Sequence, residues 1–287
     1  MCPELGLKQV YKVSMPQSVP NAALNALTEW WEDMGVDVDH AEIKALILKP
    51  ETVPVVEQPK ITPIGKTIPV APKPRNKSKT LEDWIAEATA LAAAAPDLPA
   101  LKAAIESFEG CELKKVCERT VVYDGTLNAP VMVLGEGPGG QEDRLGIPFV
   151  GKAGQLLDRM LAAIDLDRKT NTFISNVNFW RPPGNRNPDP DELAVCRPFV
   201  DRMVDIAQPK IIIAAGGVAV KSLLDSKQGI MKLRGKEQPF TTPAGTSVPM
   251  IPMLHPAYLL RRPEDKSRAW RDLLLVKARL DEMGIKT

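Results

Sequence analysis

Apolar positions fall into two rhythms along this chain, and the change between them marks its organisation. Between Pro20 and Gly35 the residues Leu24, Leu27, Trp31 and Met34 recur at helical spacing, with proline suited to the first turn and glycine to the C-terminal cap. One short amphipathic helix is predicted there. The rhythm lapses from Pro50 to Lys79, where Pro54, Pro59, Pro63, Pro69, Pro72 and Pro74 punctuate a stretch that ends in basic residues, the composition of a semi-extended linker. Thr80-Leu81-Glu82-Asp83 then reads as an N-cap with an acid three residues on. It opens an Ala-rich helix through Trp84, Ile85 and Leu91 that stops before Pro96. A second helix is expected from about Leu98 to Phe108, ended by Gly110.

After Gly110 the rhythm changes. Short apolar runs at Val131 to Leu134, Thr172 to Val177, Lys210 to Ala215 and Ser247 to Leu254 alternate with helical patterns such as Leu156, Leu157, Met160, Leu161 and Ile164. Strands separated by helix-length segments imply an α/β fold, a three-layer αβα sandwich around a central, mostly parallel four-stranded sheet. Pro249 and Pro252 would each remove a ladder donor, so the last strand is expected at an edge or irregular. Three segments result: an extension over 1–49 carrying the short helix, a Pro-rich linker over 50–79, and an α/β domain over 80–287 that includes the two leading helices.

Composition narrows the class. With 44% hydrophobic and 25% charged residues and a net charge of +1, the chain reads as a soluble globular protein, and any contact with nucleic acid must come from a local patch. No apolar run approaches a membrane span, since the longest, Ile211 to Val220, is short and carries Gly216 and Gly217. Met1-Cys2-Pro3-Glu4 has neither a basic flank nor an apolar stretch, so no signal peptide is expected and the expected location is the cytoplasm. Cys2, Cys111, Cys117 and Cys196 are too few and too scattered for a secreted disulfide framework. The paired Trp30 and Trp31 could anchor a protein partner or fold back onto the main domain.

In parallel sheets the ligand crevice lies beyond the carboxyl ends of the strands, and the notable loops all fall there. Leu134 leads into Gly135-Glu136-Gly137-Pro138-Gly139-Gly140-Gln141-Glu142-Asp143, Val177 into Asn178 to Arg186, Ala215 into Gly216-Gly217, and Leu254 into His255. The first of these contains a literal G-x-G-x-x-G, but a nucleotide-binding protein is disfavoured. Pro138 stiffens the turn, the next strand ends in Asn176 and Asn178 where a ribose-binding acid is expected, and Glu142 and Asp143 would crowd a pyrophosphate. Gly151-Lys152-Ala153 likewise lacks the Ser or Thr of a Walker motif. Asn176 offers the donor and acceptor pair of a nucleobase edge, or else a structural amide capping its loop. Phe149, between glycines, is either core or a ring presented to a pocket for a flat ligand. Arg261, Arg262, Lys266, Arg268 and Arg271 outnumber Glu264 and Asp265, a pattern for phosphate contact or for a solvated helix face. Tyr258-Leu259-Leu260 just before them resembles a wedge that unstacks bases, and Arg181 and Arg186, flanking the stiff Pro182-Pro183, are expected to contribute to the same surface.

Taken in order, five motifs carry a family resemblance: GEGPGGQED, GIPFVGKAGQLLDRML, the stretch Asn176-x-x-x-x-Arg181-Pro182-Pro183-x-Asn185-Arg186, LRG at Leu233 to Gly235, and HPAYLLR from His255. The chain resembles the family 4 uracil-DNA glycosylases of bacteria and archaea from about Phe108 to Leu280, while residues 1–79 lie outside the resemblance. It implies a monofunctional, monomeric repair enzyme that acts on uracil-containing DNA and leaves an abasic site. By that resemblance Glu136 and Gly137 line the uracil pocket, Phe149 stacks on the base and Asn176 bonds its Watson-Crick edge. His255 faces O2, Glu142 and Asp143 place the attacking water, and Asn185 is a further site asparagine. A non-catalytic or altered-substrate DNA-binding member of the superfamily is the alternative.

One departure stands out. The family typically holds a 4Fe-4S cluster on four cysteines, and the matching positions here read Phe108, Cys111, Trp180 and Cys196. With two of four ligands gone, no metal or other cofactor is expected, and apolar packing of Phe108 and Trp180 is expected in the cluster's place.

Overall fold

The computed structural model describes residues 79–285. The expected helix around Trp30 and Trp31, and all but the last residue of the expected linker, lie outside the described residues.

The first helix, α1 (Leu81–Ala94), starts where the sequence places its cap. Thr80 Oγ1 accepts from the Asp83 amide at 3.2 Å while Asp83 accepts from the Thr80 amide at 2.8 Å, so two otherwise orphaned donors are satisfied reciprocally. Helix α2 (Leu98–Ser107) is capped by Asp97, which accepts from Ala100 N at 2.8 Å. Both bury their apolar stripes with the long helix α5 (Pro190–Ala207) in one cluster.

Among the described residues six strands form the sheet, in the order β1-β3-β2-β4-β6-β5. The four expected from apolar runs are β2 (Val131–Gly135), β3 (Thr172–Asn176), β4 (Ile211–Ala215) and β6 (Ser247–Met253), and they are mutually parallel. The count of four is corrected by two antiparallel edges, β1 (Tyr123–Gly125) on β3 and β5 (Gln238–Thr241) on β6. These edges are short and only partly buried, so neither needs the continuous apolar run that marks a buried strand.

The expectation for β6 is also corrected, because this strand is internal. Pairing with β4 begins at Met250, which leaves Pro249 outside it, and pairing with β5 ends at Met250, which leaves Pro252 outside that one. Met253 O accepts from Gly216 N beyond β4, so by the two-residue period Pro249 addresses β4 and Pro252 addresses β5, each where that neighbour is unpaired. Neither missing donor breaks a ladder.

Alternation along the strands divides the core into two layers. Met132, Leu134, Phe173, Ile212 and Ala214 face the cluster built with α1, α2 and α5, whereas Val131, Val133, Ile174, Ile211 and Ile213 face the other. That second layer is closed by α4 (Lys152–Ala162), by Leu259 of the short helix α8 (Pro256–Arg261) and by α9 (Lys266–Glu282). The result is the expected αβα sandwich. The four central strands point one way, so Gly135, Asn176, Ala215 and Met253 finish at the same end of the sheet. No helix among the described residues is long and apolar enough to cross a membrane.

Candidate active site

A cleft of about 500 Å³ opens at that end of the sheet. Its walls come from the loops after all four central strands, and they include Glu136, Gly137, Glu142, Phe149, Asn176 and His255. Asn185, Arg186, Tyr258 and Arg261 complete the set of sequence-derived candidates on its lining.

The glycines of the first loop are explained by close approach. A Cβ on Gly135 would stand 2.4 Å from Phe149 Cζ and 2.5 Å from Asn176 Oδ1, so only glycine lets the ring and the amide meet over the end of β2. The chain then enters α3 (Gly140–Leu145), whose third residue is Glu142. Glu142 Oε1 accepts from Val150 N at 3.0 Å and Gly151 N at 2.8 Å, and Oε2 accepts from Gly139 N at 3.2 Å. The carboxylate thus clasps the loop that carries Phe149 onto the start of α3.

Phe149 sits at φ 54°, in the left-handed region, with its ring stacked on His255 at a centroid distance of 5.6 Å and an angle of 26°. Asn176 is buried, and its Oδ1 has no hydrogen-bond partner among the described residues. Oriented acceptors of this kind are rare in a folded interior, and this one is open to a donor from water or from a ligand. His255 caps α8, its Nδ1 accepting from Ala257 N at 3.1 Å. The neutral ring must therefore carry its proton on Nε2. Burial, aided by Arg261 and opposed by Glu142, lowers its pKa to about 4. Gly216, at φ 102°, passes beneath it where a Cβ would come within 3.1 Å of His255 Cβ. Burial also raises the pKa of Glu136, partly offset by Arg261.

Asp143, Arg181, Leu259, Leu260 and Arg262 do not line the cleft, and Arg186 and Tyr258 on its lining are held by acidic partners. Asp143 is buried behind α3, where it accepts from Glu118 N at 2.8 Å and Arg119 N at 3.2 Å, and it does not line the cleft. Arg181 stands 3.7 Å from Asp143 and donates to Asn185 Oδ1 at 2.8 Å, so it braces Asn185 from behind. Arg186 is held by Glu192 through contacts of 2.9 and 2.6 Å. The wedge reading of Tyr258-Leu259-Leu260 is corrected at its centre, because helical geometry turns Leu259 fully into the core. Leu260 is partly buried against the same cluster, Tyr258 donates to Asp265 at 2.6 Å, and exposed Arg262 pairs with Glu264 at 3.2 Å.

Sequence reasoning missed Ile230 and Met231, which line the cleft from the short helix α7 (Ile230–Leu233). It also missed Asn178, whose side chain donates to Trp180 O at 2.6 Å and sets the course of the following loop. Nothing in their local pattern separates them from ordinary core or loop residues.

Residues 122–274 match the Uracil DNA glycosylase superfamily, more than half of the chain. The chain belongs to this superfamily. It is similar to the Type-4 uracil-DNA glycosylase of Thermotoga maritima, at 38% identity over 165 residues covering 57% of this chain and 83% of that protein. With the Type-4 uracil-DNA glycosylase of Pyrobaculum aerophilum the identity is 34% over 183 residues, covering 62% of this chain and 92% of the relative. A DNA polymerase of Bacillus phage SP01 is also similar, at 27% identity over 169 residues, 59% of this chain but 18% of the polymerase.

For a member of this superfamily resembling its family 4, the cluster positions can be tested by fit. Phe108 lies 6.4 Å from Trp180, 5.3 Å from Phe199 and 5.9 Å from Trp84, ring centre to ring centre, and Trp180 donates from Nε1 to Thr120 Oγ1 at 3.0 Å. The Phe108 and Trp180 rings are buried and occupy the positions of two ligands. Burial raises the Cys111 thiol to about 11 and the Cys196 thiol well above its ordinary value, so both are protonated neutral thiols in this packing. A four-cysteine cluster does not fit these residues.

Proposed function

We propose that this protein is a monofunctional uracil-DNA glycosylase that hydrolyses the bond between uracil N1 and deoxyribose C1′ and leaves an abasic site. The observation that carries the reading is the buried Asn176 Oδ1, without a hydrogen-bond partner among the described residues, in the same cleft as a stacked Phe149–His255 pair. A uracil edge presents N3–H to an acceptor and O4 to a donor, the complement of an asparagine amide, and an aromatic face suits the flat base.

The chemistry follows from charge. As the C1′–N1 bond breaks, its electron pair goes to the uracil ring, and the anion is delocalised onto O2. A neutral His255 donating from Nε2 supplies a preorganised hydrogen bond there without first losing a proton. On the sugar side, Glu142 is the candidate for orienting water and for stabilising the cationic deoxyribose. A carboxylate has about four acceptor positions. Three are taken by backbone amides, which leaves one on Oε2 for water. Asp143 is removed from this role and, with Arg181, supports Asn185 instead. Among the described residues no lysine lines the cleft, which supports simple hydrolysis over a Schiff-base lyase step. Exposed Arg261 at the rim is the candidate phosphate contact. Aromatic packing of Phe108 and Trp180 stands where relatives would hold a metal cluster, so we assign the protein no iron.

The test is alkaline strand scission of a fluorescent oligonucleotide with one uracil, in single-stranded and duplex form, by wild type and His255→Ala. Scission by wild type alone is expected. Binding of the oligonucleotide with no scission of either form would move the protein to the non-catalytic reading.

A further inference from the structure

Arg168 belongs to none of the family-like motifs and does not line the cleft, yet all of its donors converge behind one wall of it. It lies in the turn before β3, with its side chain 14% exposed. Its Nε and one terminal nitrogen donate to Asp158 Oδ1 at 2.9 and 2.7 Å, and the other terminal nitrogen donates to Asp124 at 2.9 Å. The remaining capacity goes to backbone, to Phe149 O at 2.8 Å and Pro148 O at 3.3 Å. The five donors of a guanidinium are thereby all engaged.

Those two carbonyls belong to the turn that sets Phe149 in the left-handed region, a strained conformation for a non-glycine residue. Such a residue persists only where its surroundings over-determine it. The Phe149 carbonyl is turned inward, and Gly154 gives it room, since a Cβ there would stand 1.9 Å from the oxygen. Inward carbonyls need a donor, which Arg168 provides. Glu142 meanwhile holds the amides of Val150 and Gly151 just after the ring. The turn is therefore gripped through its carbonyls by a cation from one side and through its amides by an anion from the other.

We propose that Arg168 is a positioning residue of the active site, which fixes the Phe149 ring in its stack on His255 by holding the carbonyls of Pro148 and Phe149. Anchoring by Asp158 on α4 and Asp124 on β1 ties the ring's position to the frame of the domain. The proposal rests on the reading of Phe149 as the base platform for its consequence in catalysis, but its geometric core can be measured without activity.

The experiment compares wild type, Arg168→Gln, Arg168→Lys, Phe149→Leu, the Arg168→Gln/Phe149→Leu double variant and Arg197→Gln. Arg197 is a control, a part-buried arginine that likewise pairs with an aspartate and donates to a carbonyl, Ser222 O, outside the cleft lining. The first readout is the NMR shift of the His255 ring protons, which the stacked Phe149 ring displaces, in a chain with two histidines. Arg168→Gln should move that resonance toward its Phe149→Leu position, Arg168→Lys should move it part of the way, and Arg197→Gln should leave it in place. The second readout is single-turnover uracil release and inhibition by free uracil. Arg168→Gln should weaken both by about tenfold or more, the order expected when a binding surface shifts by a fraction of an ångström. The double variant should be no worse than Phe149→Leu alone. An unchanged His255 shift in Arg168→Gln, losses that multiply in the double variant, or an equal effect in Arg197→Gln would each overturn the proposal. Absence of uracil release by wild type would overturn the functional reading instead and leave the NMR comparison to decide the positioning role. Should Arg168→Gln fail to fold, Arg168→Lys against Arg197→Lys carries both comparisons.

Discussion

At the scale of single residues, the candidate chemistry depends on a histidine kept neutral. His255 Nδ1 is committed to the Ala257 amide, and burial brings the ring to about 4 from the ordinary 6.5. A neutral donor does not weaken when a proton is taken up near neutrality, so the single-turnover rate of uracil release should stay level as pH falls from 8 to about 5. A rate falling with a midpoint near 6.5, and absent in His255→Gln, would show that the ring titrates as an ordinary histidine. Stability should respond in the same range. Between about 4 and 6.5 the unfolded chain binds a proton that the folded chain excludes, so His255 makes the fold less stable as pH drops through that window. Urea unfolding of wild type against His255→Gln at pH 5 and pH 7.5 checks the sign, with the variant gaining relative stability at the lower pH. His255→Ala should lose about a hundredfold or more in single-turnover rate, the usual cost of one oxyanion donor.

At the scale of elements, the site is a set of loops whose glycines are chosen by neighbours rather than by a bound nucleotide. Gly154, in the first turn of α4, faces the Phe149 carbonyl at a hypothetical Cβ distance of 1.9 Å, and backbone there has no flexible end to yield. Gly154→Ala should destabilise the protein by about 1–3 kcal/mol as an overpacked site. It should also reduce uracil release by more than its loss of stability explains, and chemical denaturation beside the glycosylase assay separates the two effects. Equal stability of Gly154→Ala and wild type would mean that the loop relaxes freely. Much of this level was legible beforehand. Thr80 and Asp83 announce the start of α1, and four apolar runs announce the central strands. The edges β1 and β5 were not legible, because short half-buried strands carry no continuous apolar signal, and β6 was misplaced because proline's cost depends on which neighbour a residue addresses.

At the scale of the whole molecule, the aromatic group around Phe108 and Trp180 and the basic rim are two properties that can be measured without the reaction. Purified protein should be colourless and free of stoichiometric iron, and Trp180→Ala should cost about 3–5 kcal/mol in urea unfolding, as for a large buried ring. Brown protein with about four irons per chain would refute the aromatic assignment. Arg261→Gln should weaken binding to uracil-containing and uracil-free DNA alike and lower the salt dependence of binding by about one ion, which fluorescence anisotropy across a salt series resolves. What the sequence determined on its own was the order of elements, the αβα layering, the family-like motifs and the candidates Glu136, Glu142, Phe149, Asn176 and His255, because periodicity, caps and ordered motifs are local properties. Only the tertiary structure decided that Asp143 and Leu259 face away from the cleft, that Glu142 and Arg168 grip the Phe149 turn from opposite sides, and that Asn176 Oδ1 has no partner among the described residues. These are matters of direction and of contact between segments far apart in the chain, and a side chain's direction is fixed only when the sheet and its loops have closed around it.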